Sequence, residues 1–158
     1  MDLILVRQIR IRMKRKIVIE IICCLFILLF TYAAISKVLD LQKFQIQLSQ
    51  SPLLTAFAGR LVWAVPSVEI IISLMLAFPR FRSMALYACF SLMVMFTVYI
   101  VTILNFSAYI PCSCGGILEK LSWRQHLTFN VGFVLLALIG IILFENENKE
   151  RLEYKRSE

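Results

Sequence analysis

Two cysteines separated by a single residue form the most reactive pattern in this chain. Cys112 and Cys114 lie in the segment Pro111-Cys112-Ser113-Cys114-Gly115-Gly116. Neighbouring thiols can form, break and exchange disulfides. A bridge across one residue is sterically awkward, because the Cα atoms of a disulfide must lie about 4.4–6.8 Å apart with a demanding torsion. Strained disulfides are labile, so this spacing favours thiol-disulfide exchange over a permanent cross-link.

The chain's only histidine follows this segment at a helix start. Ser122-Trp123-Arg124-Gln125 has the spacing of a capping box, which predicts a helix that begins at its tryptophan. His126 then lies in the first turn, and Asn130 lies one turn deeper on the same face. The partial positive charge at a helix N-terminus favours a nearby thiolate. We therefore take Cys112, Cys114 and His126 as the candidate catalytic residues.

Two further roles are open to the paired cysteines. A stapling disulfide and a zinc or copper site both use thiols, but a metal site needs further ligands and His126 is the only obvious one. We predict no bound metal. Three more cysteines fall within apolar runs and are expected to be packing residues: Cys23, Cys24 and Cys89.

Long apolar runs must position these groups. The composition is 60% hydrophobic with a mean hydropathy of +0.81. Each of four runs is close to the roughly 20 residues that a helix needs to cross a bilayer. In the bilayer core the backbone must satisfy its own hydrogen bonds, so we predict an all-α integral membrane protein, a bundle of four transmembrane helices. The runs are Ile17–Leu39, Leu61–Phe78, Met84–Leu104 and Leu127–Phe144.

Charge indicates the orientation of the bundle. Twelve of the 17 Lys and Arg residues lie before the first run, between the second and third, or after the fourth. The positive-inside rule therefore places both termini in the cytoplasm and Cys112 and Cys114 outside. A cleaved signal peptide is the alternative for the first run, but that run is longer than a signal's apolar region. We predict a basic cytoplasmic segment 1–16, a membrane domain 17–144 and a charged cytoplasmic tail 145–158.

The first outer link contains a second periodic pattern. Leu41, Phe44 and Leu48 recur at helical spacing among polar residues, which predicts a short interfacial helix. An ordinary connecting loop is the alternative. Ser51-Pro52 then has the pattern of a helix start, and Gly59 that of a helix stop.

Polar residues inside the runs are the remaining functional candidates. Glu69 is about 12 Å deep in the second run, and Lys37 near the end of the first run could reach it. Two roles stay open: a structural pair, or a proton relay or substrate group. A quinone is the candidate cofactor, with no cofactor certain. The aromatic residues that could line its pocket are Trp63, Phe96, Tyr99 and Tyr109.

The order of these motifs resembles that of a known family. The chain is similar to the MauE/DoxX-like redox-associated membrane proteins from about Ile17 to Phe144. The most specific part is the Cys-x-Cys-Gly segment with the downstream histidine. The resemblance implies a multi-pass protein of the bacterial inner membrane, linked to methylamine utilisation and to maturation of the disulfide-rich small subunit of methylamine dehydrogenase. The matching segments are Ile35-Ser36-Lys37, Ser51-Pro52-Leu53, Pro66-Ser67-Val68-Glu69 and Pro111 to Gly116, with Trp123 and His126.

These observations lead to one main hypothesis and two alternatives. The main hypothesis is a membrane thiol-disulfide redox protein, a candidate oxidoreductase. Its partners would be the lipid bilayer and a periplasmic protein, either thioredoxin-like or a disulfide-rich client. The alternatives are a non-catalytic assembly factor and a small-solute or metal-ion carrier that uses Glu69. Basic residues cluster at span ends and not on an aromatic patch, so no nucleic-acid partner is expected.

The predicted orientation can be tested by labelling with an impermeant maleimide. A cysteine introduced between Gln42 and Ser49, or near Lys120, should react in sealed cells, because both links face outward. A cysteine at Arg82 should react only after the membrane is opened. Labelling of position 82 in sealed cells would reverse the orientation and the compartment assigned to the thiols.

Overall fold

The computed structural model describes residues 2–49, 54–106 and 122–156, and every long element in these ranges is a helix. The helices are α1 (Asp2–Leu39), α2 (Leu41–Ser49), α3 (Ala58–Ala77), α4 (Arg82–Phe106) and α5 (Trp123–Arg156), with 3-10 turns at Thr55–Phe57 and Pro79–Phe81. Four helices are long and apolar enough to cross a membrane, over Arg12–Leu39, Thr55–Ala77, Pro79–Asn105 and Trp123–Glu150. The predicted all-α, four-span architecture is confirmed.

The four long helices form a closed ring of neighbours. α1 packs against α3 and α5, and α4 packs against the same two helices. The short α2 covers the bundle where α1 ends and α3 begins, in contact with both. We call this the α2 end of the bundle; α4 also ends there and α5 begins there. At the opposite end α1 begins and α5 ends, and we call it the terminal end.

The core of the bundle is apolar along its length. Phe26 and Phe30 of α1 are almost fully buried, as are Leu76 of α3 and Leu86 and Met93 of α4. Large apolar side chains also cover the outer faces, including Leu28, Ile71, Val98 and Leu135, each more than half exposed. An apolar exterior around an apolar core is the arrangement expected of a bundle whose solvent is lipid.

The predicted interfacial helix is present as α2. The Asp40 carboxylate accepts a hydrogen bond of 3.1 Å from the Lys43 amide and so caps its first turn. Phe44 and Leu48 are buried, and they form a small cluster with Ala58 and Val62 of α3. The side of α2 with its apolar residues therefore packs onto the bundle.

The segment between α2 and α3 differs from its predicted form at one position. The prediction that Gly59 stops a helix is wrong, because Gly59 is the second residue of α3. Glycine is tolerated near either end of a helix, and here no atom lies within 4 Å of a Cβ added to it. The predicted helix start at Ser51-Pro52 lies outside the described residues.

Ion pairs join the helices at the terminal end. Arg82 donates to both carboxylate oxygens of Glu20, at 2.5 and 2.9 Å, which ties the start of α4 to α1. Arg15 of α1 pairs with Glu150 of α5 at 2.5 Å.

Both α1 and α5 continue without a break through the predicted domain boundaries at 16/17 and 144/145. Those boundaries stay predictions about the membrane edge and are not ends of helices.

Candidate functional site

Four of the predicted polar residues line one cavity at the α2 end. Lys37 lies in the last turn of α1, Glu69 in the middle of α3, and His126 and Asn130 in the first two turns of α5. Their side chains all contribute to the wall of a cavity of about 220 Å³. Three helices that are distant in sequence therefore bring these groups together.

The two candidate catalytic thiols, Cys112 and Cys114, lie outside the described residues. By sequence, residues 107–121 connect the end of α4 to the start of α5. Cys112 follows Phe106 by six residues, and Cys114 precedes Trp123 by nine. Both anchor points of the segment belong to the α2 end, where the cavity lies.

Glu69 and Lys37 form a buried ion pair. The Glu69 residue is 0% exposed. Lys37 Nζ donates to Glu69 Oε1 at 2.7 Å and to Oε2 at 3.1 Å. It also donates to the Ala33 carbonyl oxygen at 3.2 Å, so the ammonium group has acceptors on both α1 and α3. The pair joins α3 to the last turns of α1.

Local structure explains how this pair is accommodated in an apolar bundle. A carboxylate at this depth is costly unless a cation and hydrogen bonds neutralise it. Phe44 of α2 lies with its ring 5.9 Å from Lys37 Nζ, within the range of a cation–π contact. Pro66 is buried in α3 one turn before Glu69. α2 therefore covers the charged end of Lys37 with an aromatic ring.

The start of α5 has the predicted capping box. The Ser122 amide donates to Gln125 Oε1 at 3.0 Å, and the Gln125 amide donates to Ser122 Oγ at 3.4 Å. The first helical residue is Trp123, as predicted. This reciprocal cap fixes the first turn, and with it the direction in which His126 leaves the helix.

His126 lies at the edge of the cavity with one nitrogen unmatched. Its ring stacks on Trp123, with centroids 6.2 Å apart and planes inclined by 20°. Its Nδ1 is buried and has no hydrogen-bond partner among the described residues. One turn deeper, Asn130 is buried and donates from Nδ2 to the His126 carbonyl oxygen at 3.1 Å. The site therefore contains one buried nitrogen able to receive a ligand.

The rest of the cavity wall is apolar and rich in aromatic rings. Of the four aromatic residues predicted for a quinone pocket, Phe96 and Tyr99 line the cavity. Trp63 is 60% exposed and is not part of the wall, and Tyr109 lies outside the described residues. The wall residues that sequence reasoning missed are Leu29, Phe30, Tyr32, Ala33, Phe44, Leu48, Leu54, Leu61, Val65, Met93, Met95, Ile100, Trp123 and Phe129.

One sequence signal could have identified part of that wall. Trp123, His126 and Asn130 are spaced by three and four residues, so they share one face of a helix. A tryptophan one turn before a candidate site histidine is therefore expected to line the same site. The aliphatic wall positions in α1 and α4 have no such signal, because apolar residues lie on all sides of those spans.

Cysteines and acidic residues elsewhere do not form a metal centre in the described ranges. Within residues 2–49, 54–106 and 122–156, no group of three or more His, Cys, Asp or Glu side chains could hold a metal ion. Cys23 and Cys89 are buried in the core between α1 and α4, in agreement with packing roles. The packing role predicted for Cys24 is wrong, because its side chain is exposed on the outer surface of α1 and lies outside the core.

Comparison with known proteins gives one match. The family model described as "Methylamine utilisation protein MauE" matches residues 15–143. No curated protein and no solved structure matches the chain. The matched range covers most of the chain and includes Lys37, Glu69 and His126 together with both candidate thiols. The chain belongs to the MauE family and is a multi-pass membrane protein.

The ion pair can be tested with single and double substitutions. Glu69→Gln leaves the Lys37 ammonium buried without a counter-charge, which costs on the order of 3–5 kcal/mol. We expect a lower protein level in membranes, and we expect Lys37→Met in the same chain to restore it. Glu153→Gln is the matched control, because Glu153 is an exposed carboxylate near the end of α5 and a neutral amide there should change stability little.

Quantitative immunoblotting of membrane fractions measures these levels. Normal abundance of Glu69→Gln, with no effect from added Lys37→Met, would contradict the structural role. If oxidation of a periplasmic partner protein were lost in that variant, Glu69 would instead act in the reaction, as a proton relay or substrate group.

Proposed function

We propose that this MauE-family protein is a membrane thiol-disulfide redox protein that acts on periplasmic partners through Cys112 and Cys114. The observation that carries the proposal is the cavity at the α2 end. His126 and the Lys37–Glu69 pair converge there, beside both attachment points of the segment that carries the thiols. The distribution of Lys and Arg residues between the two sides of the membrane supports a periplasmic position for that end.

Exchange would proceed through a mixed disulfide. In the oxidising direction, a partner thiolate attacks one sulfur of the Cys112–Cys114 bridge and expels the other as a thiolate. The second partner thiolate then attacks the partner's sulfur in the mixed disulfide. The partner leaves with a new disulfide, and Cys112 and Cys114 remain as a dithiol. Two electrons pass from the partner to the membrane protein, and the reverse sequence reduces a partner.

The start of α5 supports this chemistry through its electrostatics. Backbone amides of the first turn give a helix N-terminus a partial positive charge, which stabilises a nearby thiolate. Ser122 and Gln125 hold this turn in place. In the proposed function, His126 exchanges protons with the thiols, and the Lys37–Glu69 pair fixes α1 and α3 around the site.

The family description supports a client in methylamine utilisation. Resemblance to this family implies maturation of the disulfide-rich small subunit of methylamine dehydrogenase, or of another disulfide-containing periplasmic protein. A carrier function for Glu69 is less well supported by the geometry. The carboxylate is already neutralised at 2.7 and 3.1 Å, so a transported cation would have to displace Lys37.

Trapping a mixed disulfide tests the proposal. Cys112→Ala and Cys114→Ala each remove one thiol, so the remaining cysteine cannot resolve an intermediate. At least one of these variants should accumulate an adduct with a periplasmic protein after acid quenching and alkylation. The adduct should be visible on non-reducing gels and should disappear with reductant. The double variant and Cys24→Ala are the controls: the first should form no adduct, and the second should behave as the unmodified protein.

A different result would favour a non-catalytic assembly factor. If neither single variant trapped a partner and the double variant fully supported client maturation, thiol exchange would be excluded as the function. The cavity would then serve to hold a client or a lipid at the membrane.

A further inference from the structure

The cavity has a polar edge and an apolar body, and the two make different demands on a ligand. At the polar edge the Lys37 ammonium group already donates to the Glu69 carboxylate and to the Ala33 carbonyl oxygen. His126 Nδ1 is the buried nitrogen that lacks a partner among the described residues. A bound molecule should therefore place an oxygen at His126, whose nitrogen has no partner among the described residues.

The body of the cavity fits a flat ring. Its volume of about 220 Å³ exceeds the roughly 150 Å³ of an engineered apolar cavity that binds benzene. Phe96, Tyr99, Trp123 and Phe129 provide aromatic wall on two helices, α4 and α5. Aromatic side chains bind other rings by offset stacking and edge contacts. The wall is therefore suited to a substituted ring with few polar atoms.

The redox state of the ligand is a further constraint. An imidazole nitrogen can donate a hydrogen bond in one tautomer and accept one in the other. A quinone offers a carbonyl oxygen as an acceptor, and its quinol offers a hydroxyl as a donor. One histidine can therefore bind both forms and can exchange one of the two protons by which they differ.

We propose that this cavity binds the ring of a membrane quinone, with His126 as the group that bonds one ring oxygen. The inference rests on the proposed function, and it names the electron acceptor of the same site. The Cys112–Cys114 dithiol gives up two electrons and two protons as its sulfur–sulfur bond forms. The quinone takes both electrons and both protons and leaves as a quinol. A quinone dissolved in the bilayer can reach a cavity between transmembrane helices without crossing water.

The two tryptophans of the chain allow a direct binding test. Trp123 lines the cavity, whereas Trp63 is 60% exposed on the outer surface. Trp63→Phe leaves Trp123 as the only indole, and Trp123→Phe leaves Trp63. The purified proteins in detergent would be titrated with decylubiquinone, a short-chain benzoquinone that quenches indole emission on contact.

The proposal predicts saturable quenching of Trp123 and weak, linear quenching of Trp63 as the quinone partitions into the micelle. In the Trp63→Phe background, His126→Leu should raise the apparent Kd about tenfold, since it removes one buried hydrogen bond. His126→Gln retains a donor and an acceptor and should recover most of the affinity. Val131→Leu, on the exposed face of α5, is the matched control and should not change the Kd.

Two outcomes would overturn the quinone site. One is quenching that is linear and equal for both tryptophans. The other is equal competition by decylcyclohexane, which has no ring oxygen and would show that the cavity accepts any apolar chain. The thiols are not needed for binding, so a Cys112→Ser/Cys114→Ser variant should show the same Kd. Saturable quenching without trapped partners would refute the thiol function alone, and trapped partners with linear quenching would refute the quinone site alone.

Discussion

The rest of the structure depends on the burial of one carboxylate. Glu69 has no exposed surface, and its charge is compensated by Lys37 at 2.7 and 3.1 Å. Because the low dielectric of the bilayer interior makes an unpaired charge so costly, α1 and α3 must keep the register that brings these groups together. α2 then lies against the same end, with Phe44 near the ammonium group. The ion pair thus joins α1 to α3, and α2 packs over it through its apolar residues.

The cavity follows from this arrangement. Lys37 and Glu69 bond each other at one edge of the cavity. The capping box fixes the first turn of α5, from which His126 extends to the same edge. The result is a largely apolar cavity with one unmatched imidazole nitrogen among the described residues. That combination suits a ring that carries oxygen better than it suits a free ion. It also places a group able to exchange protons close to where the thiol segment joins the bundle.

Local signals in the sequence predict much of this structure. The four spans, the helix α2 and the start of α5 at Trp123 each depend on neighbouring residues, namely long apolar runs, an amphipathic repeat and a capping box. The prediction for Gly59 is wrong because glycine occurs at both ends of helices. The inward faces of the spans could not be predicted, because lipid and core are both apolar and hydropathy does not separate them. Trp63 and Trp123 show this: both are aromatic residues near a span end, yet only Trp123 faces the cavity.

The redox state of Cys112 and Cys114 in living cells tests the central claim most directly. Intact cells would be quenched with acid, and free thiols would be tagged with a maleimide large enough to shift the protein on a gel. We predict that Cys112 and Cys114 are at least partly oxidised, and that they become reduced when the cells are depleted of quinone. Fully reduced thiols under both conditions, or a disulfide that never changes, would contradict an exchanging pair coupled to the membrane.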